Sequence, residues 1–354
     1  MRIARIDARL VPLPMAEPFV ISLGTIYSAD NVFVRVESDT GLVGWGEGAP
    51  TPFVTGETGT GTLAAVEMMA PALVGLSPFA LGEAHRRMDR ALTGCGSAKA
   101  ALDLALHDLA AKAAGVPLGE FLGGGGGEAV EIDMSIGLAE PEAMASAARE
   151  LAAQGYRELK IKAGAGDAAD RAAIDLIRAA APDARLKVDA NQAWTPAQAL
   201  AMARHYAALD VAALEQPVPA WDLEGLAFVR SRSPVPIMAD ESCFTPADAQ
   251  EIVRRGAADV INIKLMKCGG LLPARRINAI ARAAGLPTML GCMLESHLSI
   301  AAAAHLAASD PNFIYADLDS FADCDATAIV ARPFAFEPPT IQLGGPGIGV
   351  DLAW

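Results

Sequence analysis

The first 47 residues alternate between apolar and polar side chains with the period of two that is typical of antiparallel strands. This alternation predicts three strands, over Ile3–Leu13, Asn31–Ser38 and Leu42–Glu47. The turn Asp39-Thr-Gly41 connects the last two strands, whereas the irregular segment Pro18–Tyr27 is interpreted as a mobile loop. A small antiparallel sheet with one irregular loop is therefore expected at the start of the chain.

The pattern then changes to apolar residues at helical spacing. Three helices are expected, at Gly61–Ala72, Pro78–Ala91 and Ser97–Ala114. The stretch Gly115-Val-Pro117 is a helix stop signal, and the glycine run at 123–127 indicates a boundary. Residues 1–125 are thus expected to form an α+β domain.

From Val130 onwards short apolar runs alternate with alanine-rich amphipathic segments. The predicted strands are Glu131–Ile136, Glu158–Ala163, Leu186–Ala190, Ala212–Glu215, Pro236–Asp240, Val260–Lys264, Pro287–Gly291 and Phe313–Leu318. Polar residues near the ends of five successive strands are 24 to 27 residues apart, which is the length of one strand plus one helix. Such a series is typical of a (β/α) barrel over residues 126–325 with its chemistry at the C-terminal rim of the strands. The segment 326–354 is expected to return to the first domain.

A doubly wound open sheet is the structural alternative for the same series of strands and helices. The charged residue at nearly every strand end favours the closed barrel, because a barrel brings all of these ends together.

Composition limits the possible partners. The net charge of −14 argues against nucleic acid and against an anionic membrane surface. The five cysteines are scattered without a Cys-x-x-Cys spacing, so neither a disulfide framework nor a zinc cluster is indicated. The first residues lack the apolar segment of a signal peptide, and a cytoplasmic protein is expected. We expect a homo-oligomer, whose number of subunits the sequence leaves open.

Three carboxylates end successive predicted strands, namely Asp189, Glu215 and Asp240. Adjacent strand ends of a barrel are close enough for these three anions to converge on one point, and converging anions require a cation. All three offer hard oxygen ligands, so Mg²⁺ is the natural choice, with Mn²⁺ as a substitute. The spacing therefore predicts a metal site.

Lysines flank this site along the chain. Lys160 and Lys162 are two residues apart on one strand, so both ammonium groups face the same way and their repulsion is expected to lower one pKa. Lys264 ends the strand after Asp240, and opposed lysines suggest proton exchange on both faces of one carbon. Lys267 is interpreted as a lysine at a helix start, without a catalytic role.

At this point the sequence resembles the enolase superfamily, specifically the muconate-lactonizing-enzyme subgroup. The motifs that carry the resemblance are Lys160-x-Lys162, Asp189-x-Asn191, Glu215-Gln-Pro217, Asp240-Glu-Ser242 and Lys264, in order and spacing. The resemblance implies a modified (β/α)7β TIM-like barrel with an α+β capping domain, and abstraction of the α-proton of a metal-bound carboxylate to give an enediolate. It also implies that Lys162 and Lys264 are the acid/base pair, that Lys160 tunes Lys162, and that Asn191 and Glu241 support the metal site.

The last predicted barrel strand carries Asp317-Leu-Asp319. Two aspartates at period two face the same cavity, where they can bind an ammonium group. This Asp-x-Asp resembles the dipeptide epimerases of the subgroup, whose substrates carry a free α-amino group. Cys292, Met293 and Glu295 on the seventh strand also resemble those enzymes.

The predicted loop gives a hint about specificity. Enzymes of this group that act on Ala-Glu carry an arginine where this chain has Gly24, and the loop offers Phe19 and Tyr27 among other apolar residues. A glutamate side chain would be buried there without a partner, so hydrophobic C-terminal residues are expected. Cationic dipeptides are the second choice. Their possible acidic partners are Asp323, Asp325 and Glu295.

Other readings remain open at this stage. Within the subgroup they are an N-acyl amino acid racemase, a cycloisomerase and an o-succinylbenzoate synthase, none of which needs the aspartate pair. Outside it they are a metal-independent Schiff-base lyase that uses Lys162 and a non-catalytic carboxylate-binding module. The five histidines lie on alanine- and leucine-rich helical stretches and are interpreted as structural.

Overall fold

The computed structural model describes residues 1–21, 24–125 and 129–354. Within these ranges the chain forms an antiparallel three-stranded sheet, an eight-stranded parallel sheet and two smaller sheets. No helix in the described ranges is long and apolar enough to cross a membrane. Two large hydrophobic clusters occupy most of the described interior, one mainly in the N-terminal part and one mainly around the parallel sheet.

The N-terminal part is called the cap. Its elements are the strands β1 (Ile3–Ile21), β2 (Gly24–Ser38) and β3 (Val43–Gly48) and the helices α1 (Gly59–Met69), α2 (Leu81–Ala91), α3 (Gly96–Ala114) and α4 (Leu118–Phe121). Gly44, Gly46 and Gly48 of β3 face α3, and a Cβ at any of them would collide with a backbone carbonyl of that helix. Glycine at these positions therefore lets α3 lie directly on the sheet.

The structure corrects the prediction of an irregular loop at Pro18–Tyr27. Phe19, Val20 and Ile21 pair with Ile26, Thr25 and Gly24 as the end of the β1–β2 hairpin. A register shift between Pro14 and Phe19 breaks the alternation of side chains, so the pattern appeared irregular. Ser22 and Leu23 lie outside the described residues.

The parallel sheet follows. Its strands are β5 (Met134–Ile136), β6 (Glu158–Lys162), β7 (Arg185–Asp189), β8 (Val211–Glu215), β9 (Ile237–Ala239), β10 (Val260–Lys264), β11 (Thr288–Gly291) and β12 (Phe313–Ala316), paired in sequence order. The predicted strand Glu131–Ile136 is divided between β5 and a separate short strand, β4 (Ala129–Glu131), which pairs with residues 340–342 instead of the parallel sheet.

Helices connect these strands in regular alternation. They are α5 (Pro141–Ala153), α6 (Asp167–Ala180), α7 (Pro196–Ala207), α8 (Leu223–Arg230), α9 (Pro246–Arg255), α10 (Leu265–Cys268), α11 (Leu271–Ala283) and α12 (His297–Ser309), with single 3-10 turns at Ala70–Ala72 and Ser320–Ala322. The two outer strands approach each other where Asp133 N donates to Ala316 O at 3.0 Å. The sheet thus curls into the expected (β/α)7β barrel rather than an open doubly wound sheet.

The barrel interior changes from apolar to charged along its axis. Near the N-terminal ends of the strands, Ala213, Met238, Val260 and Met289 form a small buried cluster that Tyr315 joins. Ala213, Met238 and Tyr315 each lie two positions before a carboxylate of the charged layer above, as the period of a strand requires. The charged layer therefore stands on a partly apolar floor.

The end of the chain packs against both parts of the molecule. Its strands are β13 (Val330–Arg332), β14 (Ala335–Glu337), β15 (Thr340–Gln342) and β16 (Asp351–Leu352). Strand β15 pairs with β4 beside the barrel, while the Trp354 ring lies 5.5 Å from the Trp45 ring of the cap. The Arg9 guanidinium lies 4.4 Å from the centre of the Trp354 ring.

Candidate active site

Three buried carboxylates meet at the C-terminal ends of β7, β8 and β9. Asp189 and Glu215 are the last residues of their strands, and Asp240 directly follows Ala239 at the end of β9. One oxygen of each lies within 4.8 Å of the others, and the three residues are at most 1% exposed. The convergence predicted from the spacing of the strands is therefore present.

The chemistry of this carboxylate group fits a hard divalent cation. Glu215 Oε2 and Asp240 Oδ2 accept no hydrogen bond of regular geometry among the described residues, although lysine ammonium groups lie 3.0 and 2.9 Å away. Burial and the neighbouring Asp189 anion raise the pKa of Glu215 to about 8. Anions crowded in this way are stabilised by a cation with oxygen ligands.

Lys162 and Lys264 approach the carboxylate group from two different strands. Lys162 Nζ lies 2.8 Å from Asp189 Oδ2, and Lys264 Nζ lies 2.9 Å from Asp240 Oδ2. Both lysines line one pocket. Burial alone would lower the pKa of Lys264, but the surrounding carboxylates, with Asp240 the strongest, together outweigh burial and raise it.

Lys160 is surrounded by three carboxylates of the site. Its ammonium group is 2.6 Å from Asp317, 3.0 Å from Glu215 and 3.3 Å from Asp189. These anions outweigh burial and raise the pKa of Lys160 well above its ordinary value. The pattern of two lysines could not reveal this because the anions come from distant strands.

Lys267 contacts the carboxylate group, which the sequence did not predict. The residue is 4% exposed, and its Nζ donates to Asp240 Oδ1 and to the Asp240 carbonyl at 2.5 Å each. It therefore fixes one oxygen of the Asp240 carboxylate while the other faces Lys264. The position of Lys267 three residues after Lys264, one turn of α10 away, was the available signal.

Asn191 and Glu241 lie beside the same carboxylates. Asn191 Nδ2 donates to Glu241 Oε1 at 3.1 Å, and the Asn191 backbone N–H donates to Asp189 Oδ1 at 2.9 Å. Asn191 has φ of 40°, a left-handed backbone that asparagine tolerates better than most residues. Burial and the nearby Asp240 anion raise the pKa of Glu241 to about 7.

Asp317 and Asp319 face the pocket from the end of β12. Ser135 contacts both of them: its backbone N–H donates to Asp319 Oδ2 at 2.6 Å, and its hydroxyl lies 3.4 Å from Asp317 Oδ1. Cys292 Sγ lies 3.8 Å from Asp319 Oδ1. The polar end of the pocket is thus acidic and partly desolvated.

Six other lining residues of the pocket form two groups, which are called its walls. The cap wall consists of Ile26, Thr51 and Val54, and the barrel wall consists of Cys292, Met293 and Leu294. None of these six residues carries a cation. Asp323 and Ser320 complete the described lining on the barrel side.

Several residues predicted near the substrate have other positions. Tyr27 is 71% exposed, and Glu295 is buried with its Oε1 accepting from Met293 N at 2.9 Å. Gly24 is close to Phe53, while Asp325 is exposed and bonds to Thr327. The side chain of Phe19 lies outside the described residues. Thr51 and Val54 were missed because the turn after β3 has no periodic pattern.

Family comparisons agree with this geometry. The mandelate racemase/muconate lactonizing enzyme N-terminal domain matches residues 5–123, and the enolase C-terminal domain-like family matches residues 143–354. The chain therefore belongs to the mandelate racemase and muconate lactonizing enzyme group of the enolase superfamily.

Its relatives with known activities include several dipeptide epimerases. The hydrophobic dipeptide epimerase of Enterococcus faecalis is 43% identical, covering 99% of this chain and 100% of its own. The structure of the E. faecalis dipeptide epimerase with Mg and L-Leu-L-Tyr has a TM-score of 0.96 at 44% identity, covering 99% and 100% of the two chains. The L-Ala-D/L-Glu epimerase of Bacillus subtilis is 40% identical, covering 99% and 97%. The L-Lys-D/L-Arg epimerase of Methylococcus capsulatus is 37% identical, covering 99% of each chain.

Proposed function

We propose that this protein is a Mg²⁺-dependent isomerase that epimerises the α-carbon of the C-terminal residue of dipeptides with a hydrophobic side chain. The observation that carries the proposal is the pocket itself, in which three lysines, an acidic end and two walls without a cation surround one space. The E. faecalis relative, which is named a hydrophobic dipeptide epimerase, supports the same substrate class.

Asp189, Glu215 and Asp240 would hold the cation. When bound, Mg²⁺ would supply positive charge for the carboxylate of the substrate, which gains negative charge as the α-proton leaves. Lys160, Lys267 and Asn191 would keep these ligands in place through the contacts described above.

Lys162 and Lys264 would act on the α-carbon as a pair. One lysine, as the neutral amine, removes the α-proton from one face, and the other, as the ammonium, delivers a proton to the opposite face. The configuration inverts because the two protons move on different faces. An enediolate of the substrate would lie between the two steps, and the apolar side chains of Ile26 and Val54 in the cap wall would reduce its contact with water.

The free amino group of the dipeptide would bind at the acidic end. Ser135 contacts both Asp319 and Asp317, so the two carboxylates face the same end of the pocket. A carboxylate there would pair with an ammonium group. This contact separates dipeptides from N-acyl amino acids, which lack the charge.

A second candidate is a dipeptide with a cationic C-terminal residue. Asp323 is an acidic residue that lines the pocket on the barrel side. The M. capsulatus relative is named for substrates of this charge. Asp325 and Glu295 do not support this candidate, because neither is among the lining residues.

The test is the specificity constant of the Mg²⁺-loaded protein for L-Ala-L-Leu, L-Ala-L-Lys and L-Ala-L-Glu. The proposal expects Ala-Leu to be the best of the three. A higher kcat/KM for Ala-Lys that falls in Asp323→Asn would establish the second candidate. A higher value for Ala-Glu would contradict both.

A further inference from the structure

A buried carboxylate in the cap lies at the junction of the two pocket walls. Glu47, next to the end of β3, is fully buried. Its Oε1 accepts from Asn31 Nδ2 and Ser296 N at 2.8 Å each. Its Oε2 accepts from Ser296 Oγ at 2.7 Å, Ser299 Oγ at 2.8 Å and Ser299 N at 3.2 Å.

These donors come mostly from the barrel. Ser296 is the N-cap of α12, and Ser299 lies in the first turn of that helix. A carboxylate at this end of a helix is stabilised by the helix dipole and by the unpaired backbone N–H groups. Five donors together replace the water that a buried carboxylate loses, so the contact fixes β3 against α12.

Both pocket walls continue directly from this contact. Thr51 and Val54 of the cap wall follow Glu47 by four and seven residues along the chain. Met293 and Leu294 of the barrel wall precede Ser296, and Asn31, which bonds to Glu47, also donates to the Leu294 carbonyl at 2.8 Å. The carboxylate therefore connects the base of one wall to the base of the other.

We propose that Glu47 is a positioning residue that sets the separation of the two walls, and through it the selectivity of the pocket for large C-terminal side chains. Glu47 does not line the pocket itself, so its effect passes through Met293, Leu294, Thr51 and Val54. The part of this proposal that concerns dipeptides rests on the proposed function. The part that concerns the position of the loop 293–296 does not.

The chain offers a matched control. Asp103 is also a fully buried cap carboxylate that accepts from the N-terminal part of a barrel helix, at Leu271 N, 2.6 Å away. Its other partners are His85 and His107. None of the residues that contact Asp103 in this way lines the pocket. Loss of either carboxylate should lower stability, but only loss of Glu47 should change the walls.

The first measurement compares Glu47→Gln, Asp103→Asn and the unaltered protein on L-Ala-L-Leu and L-Ala-L-Ala. Glutamine turns an NH₂ group towards donors that need an acceptor, whereas it keeps the size of the side chain. We expect Glu47→Gln to lower kcat/KM for Ala-Leu about tenfold or more and for Ala-Ala by about twofold or less, because a small shift of a wall matters most for a side chain that reaches it. Asp103→Asn should leave the ratio of the two constants unchanged.

The second measurement needs no substrate. Amide hydrogen exchange at Met293, Glu295 and Ser296 should be faster in Glu47→Gln than in the unaltered protein, and unchanged in Asp103→Asn. Ser299→Ala, which removes a single hydroxyl donor, should show smaller changes in the same direction and replaces Glu47→Gln if that variant does not fold.

Three outcomes would overturn the proposal: an unchanged Ala-Leu to Ala-Ala ratio, unchanged exchange in the loop, or equal effects in the Asp103→Asn control. If the unaltered protein epimerises neither dipeptide, the proposed function fails, and the exchange result alone decides whether Glu47 positions the loop.

Discussion

Lys160 Nζ and Asp317 Oδ2 are 2.6 Å apart in the interior of the barrel, where both residues are at most 3% exposed. Burial would raise the pKa of Asp317, but the nearby lysine ammonium groups, with Lys160 the strongest, together outweigh burial and lower that pKa below its ordinary value. One member of the aspartate pair is thus already paired with a lysine of the chain. Asp319 is therefore the main carboxylate left for the ammonium group of a substrate.

This asymmetry predicts different effects for the two aspartates. Asp319→Asn should lower kcat/KM for L-Ala-L-Leu by about a hundredfold, since a buried ammonium that loses its charged partner costs ~2–5 kcal/mol. The matched substrate is N-propionyl-L-leucine, which is Ala-Leu without its amino group, and its turnover should not fall in this variant. Asp317→Asn should impair both substrates, because Lys160 also contacts the metal-site carboxylates. Equal losses for both substrates in Asp319→Asn would contradict the assignment.

The two lysines predict a stereochemical result. Lys162→Ala and Lys264→Ala should each abolish epimerisation, because inversion needs a proton donor on the face opposite the base. In each variant the remaining lysine should still exchange the α-proton of one diastereomer for deuterium in D₂O. The measurement is the deuterium content of L-Ala-L-Leu and L-Ala-D-Leu by mass spectrometry after incubation. Complete exchange of both diastereomers in either variant would show that the lysines do not divide the two faces.

The cap wall predicts how preference can be redirected. Gly24→Arg would place a cation in the β1–β2 hairpin, but Gly24 has φ of 155°, a backbone that other residues adopt with strain. Ile26→Arg puts the cation on a regular strand at the pocket, and Ile26→Gln is its uncharged control. We expect Ile26→Arg to raise the Ala-Glu to Ala-Leu ratio of kcat/KM about tenfold or more. A similar ratio in both variants would show that the C-terminal side chain binds elsewhere.

The Asp103 cluster predicts a pH-dependent stability. Burial opposes both charges, yet the Asp103–His107 interaction lowers the pKa of Asp103 and raises the pKa of His107. A lowered carboxyl pKa stabilises the fold above the unfolded value of about 4, and a raised imidazole pKa stabilises it below the unfolded value of about 6.5. The contribution is therefore largest between these values and declines at higher pH as His107 loses its proton.

The corresponding experiment is denaturant unfolding of Asp103→Asn between pH 5 and pH 9, a range chosen to bracket the ordinary histidine pKa of about 6.5. The variant should lose ~3 kcal/mol near pH 6 and less at pH 9, as expected for breaking a buried pair. Asp175→Asn, which removes the partly exposed pair with His205, should cost ~1 kcal/mol or less. A loss in Asp103→Asn that does not depend on pH would rule out the charged pair.

The sequence predicted the barrel and its metal site well because both depend on spacing. The interval between strand ends is a property of one strand plus one helix, so it placed Asp189, Glu215 and Asp240 on neighbouring strands without any knowledge of their contacts. By contrast, the contact of Lys267 with Asp240 was not predicted, because it depends on the direction of one side chain in a four-residue helix.

The cap was harder to predict in detail. The register shift after Pro14 hid a hairpin that the alternation alone could not show. Thr51 and Val54 lie in a turn, where no repeating pattern marks the residues that reach the pocket. The hydrogen bonds that Glu47 accepts from Ser296 and Ser299 join segments about 250 residues apart, and no local pattern could indicate that contact.

Incubation of L-Ala-L-Leu with the protein and Mg²⁺ in D₂O tests the proposed epimerisation in a single experiment. We expect L-Ala-D-Leu that carries deuterium at the α-carbon, loss of this conversion after treatment with a chelator, and its return when Mg²⁺ is added. Absence of the epimer, formation of the epimer without α-deuterium, or full activity in the chelator would contradict the proposed function.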